Sequence, residues 1–384
     1  MKSLTLENIG PIKRADLRFG DLTVLVGPQA TGKSIALQFL KLVVDKGQVH
    51  QQLGKYGVDL GGDWGDFLSV YLGEGMNHIW RSESRISKDG ANVGIDQLVR
   101  KSKPKASEEA FLVPAQRVLA LRNGWPRPFT DYASGDPFAV RDFSEKLREL
   151  VEQEVVGKTK LFPQKGRLKR ELRDMLAQHV FGGFGLQVHK LLSQKRLVLS
   201  ESGSESSLPY MVWSAGQREF VPLLLGLYWL MPPTQSPRRG HIEWVMLEEI
   251  EMGLHPRAIN VVLLMVLELL SRGYRVCVST HSPQVLEAVW AIERLREAKA
   301  GADQLLDLFG ARHTHPMRVL AEKVLEKKLK VYYFDRKSNE TRDISGLDPD
   351  AAEFAEASWG GLAEFSAAAN DAVAKAVSNS GAAS

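Results

Sequence analysis

Residues 27–34 read GPQATGKS and follow directly on the apolar run LTVLV at 22–26. A loop of the form G-x-x-x-x-G-K-[ST] between a strand and a helix leaves few folds open to the chain. Gly27 and Gly32 let the backbone curl, so that amides of the loop residues Gln29, Ala30 and Thr31 can turn toward an anion. The helix predicted from about Lys33 to Asp45 points its positive end at the same place. In such a loop Lys33 reaches the β- and γ-phosphates of a nucleotide, and the Ser34 hydroxyl is placed to hold Mg²⁺. The strand before the loop and the helix after it weigh against a plain glycine turn.

The rest of the chain alternates in the same way. Strands are expected at Ser3–Glu7, Ala15–Phe19 and Leu22–Val26, separated by turn signals at Gly10-Pro11 and Gly20-Asp21. After an irregular insertion at 47–110 comes the short strand AFLVPAQR. Apolar spacing in DFSEKLRELVEQEV and LKRELRDMLAQHVF predicts a helical lobe over 140–200. The part from 208 to 345 returns to alternation. It reads as a helix at 217–231, the strand EWVML, a helix at 257–271, the strand YRVCVST, a helix at 283–298, and a closing hairpin from KVYYFDR and TRDISGL. Strands alternating with helices predict an α/β protein with a mostly parallel sheet. The Ala-, Ser- and Asn-rich tail at 366–384 is expected to be disordered. No heptad run, internal repeat or zinc-spaced Cys/His cluster is visible.

Composition narrows the setting. Cys277 is the single cysteine, so no internal disulfide can form, and its place in the apolar run RVCVST fits a buried thiol. The runs VPLLLGLYWLM (221–231) and INVVLLMVLELL (259–270) fall short of the roughly 20 residues that span a bilayer. The N-terminus has no apolar signal region, so a cytoplasmic protein without membrane contact is expected. The net charge of +4 singles out no partner.

Three later segments refine the class. HIEWVMLEEIEMGLHP (241–256) is an apolar strand ending in acids, where carboxylates can sit beside a metal and an attacking water. By position Glu248 is the metal-side acid and Glu249 the candidate general base. YRVCVSTHSP (274–283) ends in Thr-His at the edge of a sheet where ligands bind, which makes His281 a candidate γ-phosphate contact. Taken alone, a histidine there is more often a structural hydrogen-bonder. WSAGQREF (213–220) is a small polar turn opening a helix. Ser214 and the amides around Gly216 and Gln217 form either a second anion-binding helix start or an ordinary N-cap.

In this order the segments resemble the ABC-type ATPases of the SMC, RecF and OLD group, above all small bacterial AAA family ATPases with an OLD-type head. MKSLTLENIGPIKRADLRFGDLTVLVGPQATGKS looks like that family's opening strands and Walker A loop. WSAGQ stands where the family has its signature, EEIEMGLHP where it has the Walker B segment, and STHSP matches its switch-histidine motif. VPAQR (113–117) resembles its IPAxR segment, which implies a Q-loop role at the metal for Gln116. KVYYFDR and SWGGL resemble its closing strands and tail. The resemblance covers most of the chain and is weakest at 47–110 and 140–200. Two positions depart from the pattern: Glu248 stands where the family has Asp, and Ile250 where it has Pro.

The resemblance implies a single ABC-type head over 1–384, with an N-terminal antiparallel β subdomain and a helical lobe. It implies ATP and Mg²⁺ as ligands, a homodimer with ATP sandwiched between heads, and a separately encoded effector. It carries neither the coiled coil of SMC relatives nor the Toprim acids of OLD nucleases. Bacterial anti-phage defence or DNA repair is the implied setting, with slow hydrolysis a consequence of Glu248. A non-hydrolysing ATP-dependent dimerisation switch is the alternative, and a transporter subunit fits the opening strands less well. The basic runs KTKLFPQKGRLKRELR (158–173) and RKSKPK (100–105) are either phosphate contacts for DNA or RNA or solvated faces.

Overall fold

The apolar runs that precede each motif become the middle of one sheet. In the computed structural model, which describes residues 1–58, 63–100, 107–154, 160–164, 166–191, 194–201, 206–233, 237–362 and 364–381, the strands run as follows. The N-terminal part holds β1 (Ser3–Ile9), β2 (Ile12–Arg18), β3 (Leu22–Val26), β4 (Trp80–Lys88), β5 (Ala91–Asn92) and β6 (Ala110–Val113). The middle holds β7 (Leu121–Arg122), β8 (Trp125–Pro126), β9 (Lys160–Phe162), β10 (Phe184–Leu191), β11 (Gln194–Glu201) and β12 (Ser207–Pro209). The last part holds β13 (Trp244–Glu248), β14 (Arg275–Thr280), β15 (Leu329–Phe334) and β16 (Thr341–Asp343).

The central sheet has the order β16-β15-β3-β14-β13-β6 and is parallel except for the edge strand β16. Every residue of β3, β6 and β13 is buried, as expected for parallel strands covered on both faces. Alternate side chains feed two cores. Val245 and Leu247 join one with Val24 and Val278, while Trp244 and Met246 join the other with Leu25 and Cys277. The first core lies under the helices Ala215–Leu230, Pro256–Ser271 and Pro283–Glu297. The second lies under the helix Lys33–Lys55 and the sheet β2-β1-β4-β5.

The segment 47–110 is more ordered than its composition suggests. Its strand β4 pairs antiparallel with β1, placing Ile86 opposite Leu6, and so completes the N-terminal antiparallel sheet. The Walker A helix also runs past Asp45 to Lys55, with a kink where Asp45 leaves helical geometry at φ −120° and ψ 24°. The Asp45 carboxylate accepts bonds from the amides of Glu109 and Ala110 (2.9 and 2.7 Å) and from Lys41 (3.1 Å). That residue therefore satisfies the start of β6 rather than ending the helix.

The expected helical lobe is half sheet. Helices occupy Phe138–Glu149 and Arg170–His179, but β9 to β12 form an antiparallel sheet of order β12-β11-β10-β9. The period-two alternation of Leu186 and Val188, and of Leu197 and Leu199, supplies its inner face. The tail expected to be disordered carries the helix Glu364–Gly381, whose residues 365–376 are all exposed. Its alanines favour helix without a buried stripe. Among the described residues no helix is long and apolar enough to cross a membrane.

Candidate nucleotide-binding site

The loop 27–34 joins the end of β3 to the helix Lys33–Lys55. Gly27 and Gly32 have φ of 144° and 98°. A Cβ at Gly27 would lie 2.5 Å from the Phe334 carbonyl, and one at Gly32 would lie 2.5 Å from the Ile12 side chain. Both positions thus require glycine for conformation and for space. Ala30 also sits at positive φ, 61°, the kind of backbone strain that collects at ligand sites. Gly32 makes no side-chain cap, so the first amides of the helix are left for something other than the chain's own side chains. The Lys33 ammonium is buried and donates to the carbonyls of Gly27 and Pro28 at 2.7 and 2.8 Å. Burial pulls its pKa down to about 8, opposed by Glu249 and Glu251.

The loop floors a cavity of about 680 Å³. Lys33 and Ser34 share it with Glu249 and His281, and Pro11, Met76 and Ile79 give it an apolar wall. The chain thus gathers the phosphate loop, the second acid of β13 and the switch histidine into one space. The wall residues Met76 and Ile79 fall in the stretch whose sequence looked irregular.

Glu248 ends β13, buried at 1% exposure. One carboxylate oxygen accepts from the Ala115 amide at 3.0 Å, while the other is buried without a partner. Burial pushes its pKa up to about 7, with the Ala115 amide and the Ser34 hydroxyl opposing. A half-satisfied buried carboxyl beside Ser34 is a donor set with room for a hard cation, so these residues fit Mg²⁺.

Glu249 follows at φ 46° and donates its amide to Ser279 at 2.9 Å. His281 Nε2 lies 3.8 Å from the Glu249 carboxylate. Burial and Lys33 hold His281 below its ordinary pKa. At neutral pH the imidazole is therefore neutral, and that contact is not an ion pair.

Two residues without an expected role hold this arrangement. Glu251 accepts from the Thr280 hydroxyl (2.9 Å) and the His281 amide (2.6 Å), tying the turn after β13 to the switch segment after β14. Arg117 is fully buried and donates to the carbonyls of Glu248 (2.8 Å), Glu249 (2.9 Å) and Glu219 (3.1 Å). One guanidinium thus joins the turn carrying both acids to the signature helix. Gln116, expected at the metal, is exposed and does not line the cavity. The VPAQR segment meets the site through Ala115 and Arg117 instead. A charged residue four positions after the apolar strand AFLV, and just before the apolar VLAL, was the available signal for Arg117.

The signature residues lie elsewhere. Ser214, Gly216 and Gln217 do not line the cavity. Ser214 caps the helix Ala215–Leu230, accepting from the Gln217 amide at 3.2 Å, and Gln217 Oε1 accepts from the Ser214 amide at 2.9 Å. This is a complete capping box, so the N-cap reading holds within one chain. A Cβ at Gly216 would lie 2.6 Å from the Gly253 carbonyl. Glycine is thus what lets the signature helix rest on the turn after β13.

Part of the basic run 158–173 is spent inside the fold, while Lys160 and Arg170 are exposed. Arg167 is buried and donates to the Tyr228 carbonyl at 2.6 Å, and Lys169 pairs with the buried Glu268. Lys158 and Lys165 lie outside the described residues, as does 101–106 of the second run.

A P-loop after β3, two acids at the end of the neighbouring-but-one strand and a histidine just after the strand between them define the nucleotide site of a P-loop fold. More particularly, the chain belongs to the family described as "AAA domain, putative AbiEii toxin, Type IV TA system", whose model matches residues 22–287. No curated protein matches the chain. Among solved structures, an SMC head bound to the C-winged helix domain of ScpA is 12% identical with a TM-score of 0.41, over 74% of this chain and 90% of that one. The SMC head domain from Thermotoga maritima is 12% identical with a TM-score of 0.33, over 89% and 97%. A dimeric ATP-binding cassette in a post-hydrolysis state bound to ADP and Pi is 12% identical with a TM-score of 0.33, over 73% and 89%. Likenesses at that level carry no functional argument.

Proposed function

We propose that the chain binds and hydrolyses ATP in a head-to-tail homodimer, and that closure of the dimer controls an effector protein or DNA. The observation that carries this reading is the separation of the two helix starts: one lines the cavity with Lys33, Glu249 and His281, and the residues of the other do not line it. A second copy of the chain is the simplest object that could bring Ser214 to a nucleotide held by Lys33. Leu119, Met211 and Val212 are 52%, 68% and 61% exposed on the two turns beside Ser214, an apolar face that such a partner would cover.

In this reading the loop amides and Lys33 bind the phosphates, and Pro11, Met76 and Ile79 face the purine. Glu249 takes a proton from the attacking water. His281, neutral and tied down through its amide to Glu251, contacts the γ-phosphate. Ser34 and Glu248 would hold Mg²⁺, which supplies neutralisation of phosphate charge. Gln116 is proposed to turn toward the metal only in the closed form.

A non-hydrolysing switch is the second reading, favoured by one observation. Burial pushes the Glu248 carboxyl up to about 7, so Mg²⁺ would have to displace a proton and offset that burial to be held there. Steady-state phosphate release with Mg²⁺ separates the two. The family description names a putative toxin, which supports a separately encoded partner; anti-phage defence or DNA repair is the setting proposed for the pair.

Mixing tests the composite site. Lys33→Ala and Ser214→Arg proteins each carry a lesion in both sites of a homodimer and should be inactive. A mixed dimer has one intact site and should regain part of the phosphate release. If mixed dimers form but stay dead, a tethered pair carrying both lesions on one chain decides between two cases: activity of that pair rejects the trans site, and a dead pair means that the two sites fire only together. Full activity of Ser214→Arg alone removes Ser214 from the site.

A further inference from the structure

A groove of about 510 Å³, outside the nucleotide cavity, lies between the β7–β8 hairpin and β11. The turn Asn123-Gly124 has φ of 52° and 78°, which suits a two-residue hairpin of the left-handed type. Gly124 accepts from the Leu197 amide at 2.8 Å, and a Cβ at Gly124 would lie 3.0 Å from the Leu197 carbonyl. The hairpin is therefore seated on β11, which sets the half-buried indole of Trp125 beside Lys195, whose ammonium lies 5.9 Å from the ring centre.

The charges here are unbalanced. Asp131 is held by Arg122 (3.1 Å) and Arg127 (2.8 Å), and Glu152 by Arg148. Lys195 and Arg196 line the groove with no carboxylate partner among the described residues. Lys190 stands directly opposite Lys195 across the β10–β11 ladder. Like charges directly opposite destabilise a strand pair. The inner row Leu186, Val188, Lys190 and its partner row Lys195, Leu197, Leu199 therefore end in a repulsion that the fold itself does not use.

We propose that this groove and the adjoining end of the β10–β11 ladder bind single-stranded nucleic acid, with backbone phosphates on Lys195 and Arg196 in the groove and on Lys190 across the ladder, and a base stacked on Trp125. An anion between the two lysines relieves their repulsion. The aromatic face selects a strand with unpaired bases, since a duplex keeps its base faces stacked internally and offers only phosphates. The site is independent of ATP-driven closure, and binding is therefore measured without ATP.

The full chain is titrated against labelled 12-nucleotide oligothymidylate, oligouridylate and a matching duplex, following fluorescence anisotropy across a salt series. Both single strands are expected to bind, and the duplex more weakly. Trp125→Ala should weaken binding by about 5- to 100-fold, and Trp125→Phe should retain most of it. A Lys190→Ser, Lys195→Ser double variant should flatten the slope of log affinity against log salt by about 1.4. Its melting temperature should stay level or rise as the repulsion is removed, so weak binding cannot be blamed on unfolding. Duplex binding as tight as single-strand binding, unchanged affinity in the Trp125→Ala and lysine variants, absence of binding, or equal competition by thymidine monophosphate each overturns the proposal.

Discussion

The chain has two helix starts with nearly the same physical character and opposite treatment of it. At Lys33 the preceding Gly32 makes no cap and the surrounding loop holds an ammonium against its own carbonyls. At Ala215 the capping box binds the amides of Ser214 and Gln217 from within the chain. Each helix end carries roughly half a positive charge, but at the second the Ser214 and Gln217 amides are already bonded by side chains. An anion at the first start completes the structure, whereas an anion at the second must compete with a bond already made. The first should therefore set nucleotide affinity in a single chain, and the second should matter only when a partner's nucleotide is delivered to it.

The predictions bear on that asymmetry, beginning with the largest effect. Glu249→Gln keeps the phosphate loop intact and removes the proposed base. Phosphate release should fall by about 10²- to 10⁴-fold with ATP affinity preserved. Closed dimers should accumulate on size-exclusion chromatography with ATP, and parental turnover would eliminate Glu249 as the base.

Arg117→Met removes the buried cation that joins the two regions and leaves Glu219 beside it uncompensated. Breaking a buried charge pair costs roughly 3–5 kcal/mol, measurable by denaturant unfolding. If Arg117→Lys recovers stability but not turnover, the fork that spans Glu248, Glu249 and Glu219 is the element that matters.

Lys33→Ala should weaken ATP binding in a single chain by about 10- to 100-fold, the loss expected for a charge-assisted bond. Isothermal titration of the monomer reads this directly. Equal affinity in variant and parent would reject the phosphate-loop assignment.

Glu248→Gln should raise the melting temperature of the metal-free protein at pH 8 and leave it nearly unchanged at pH 5. The folded pKa of about 7 lies above the ordinary carboxyl value. The folded state thus holds this proton more tightly than the unfolded one, and stability falls as pH rises from the unfolded pKa through about 7. Glutamine removes that ionisation, so the gain should grow across the same window.

Ser214→Ala has the smallest effect, a loss of about 1 kcal/mol from the missing cap, with single-chain ATP affinity unchanged. A drop in that affinity would mean that the second helix start already serves the chain's own nucleotide.

Much of this was legible in one dimension. GPQATGKS after LTVLV, the acids after WVML and the histidine after RVCVST are local patterns, and each strand with its motif stands where expected. Continuous apolar runs of five or six residues fix a parallel strand buried on both faces, and the residues at such strand ends inherit a place at the sheet's edge. The β10–β11 hairpin was hidden because helical spacing in the segments before it set the expectation, although its own residues alternate with period two.

Other features required the tertiary structure. Arg117 and Glu251 act through carbonyls and amides from distant segments, such as Glu219 and Thr280. Backbone groups are the same in every residue, so no sequence pattern announces which of them will meet. The apolar wall of Pro11, Met76 and Ile79, the exposure of Gln116, the burial of Arg167 and the pairing of Lys169 with Glu268 are likewise outcomes of packing. The chemistry available at the phosphate loop, and the strands that carry it, are written in local runs of residues. Which side chains share that space, and which helix start lies outside it, came from packing, because contact between residues a hundred positions apart depends on how sheets and helices stack.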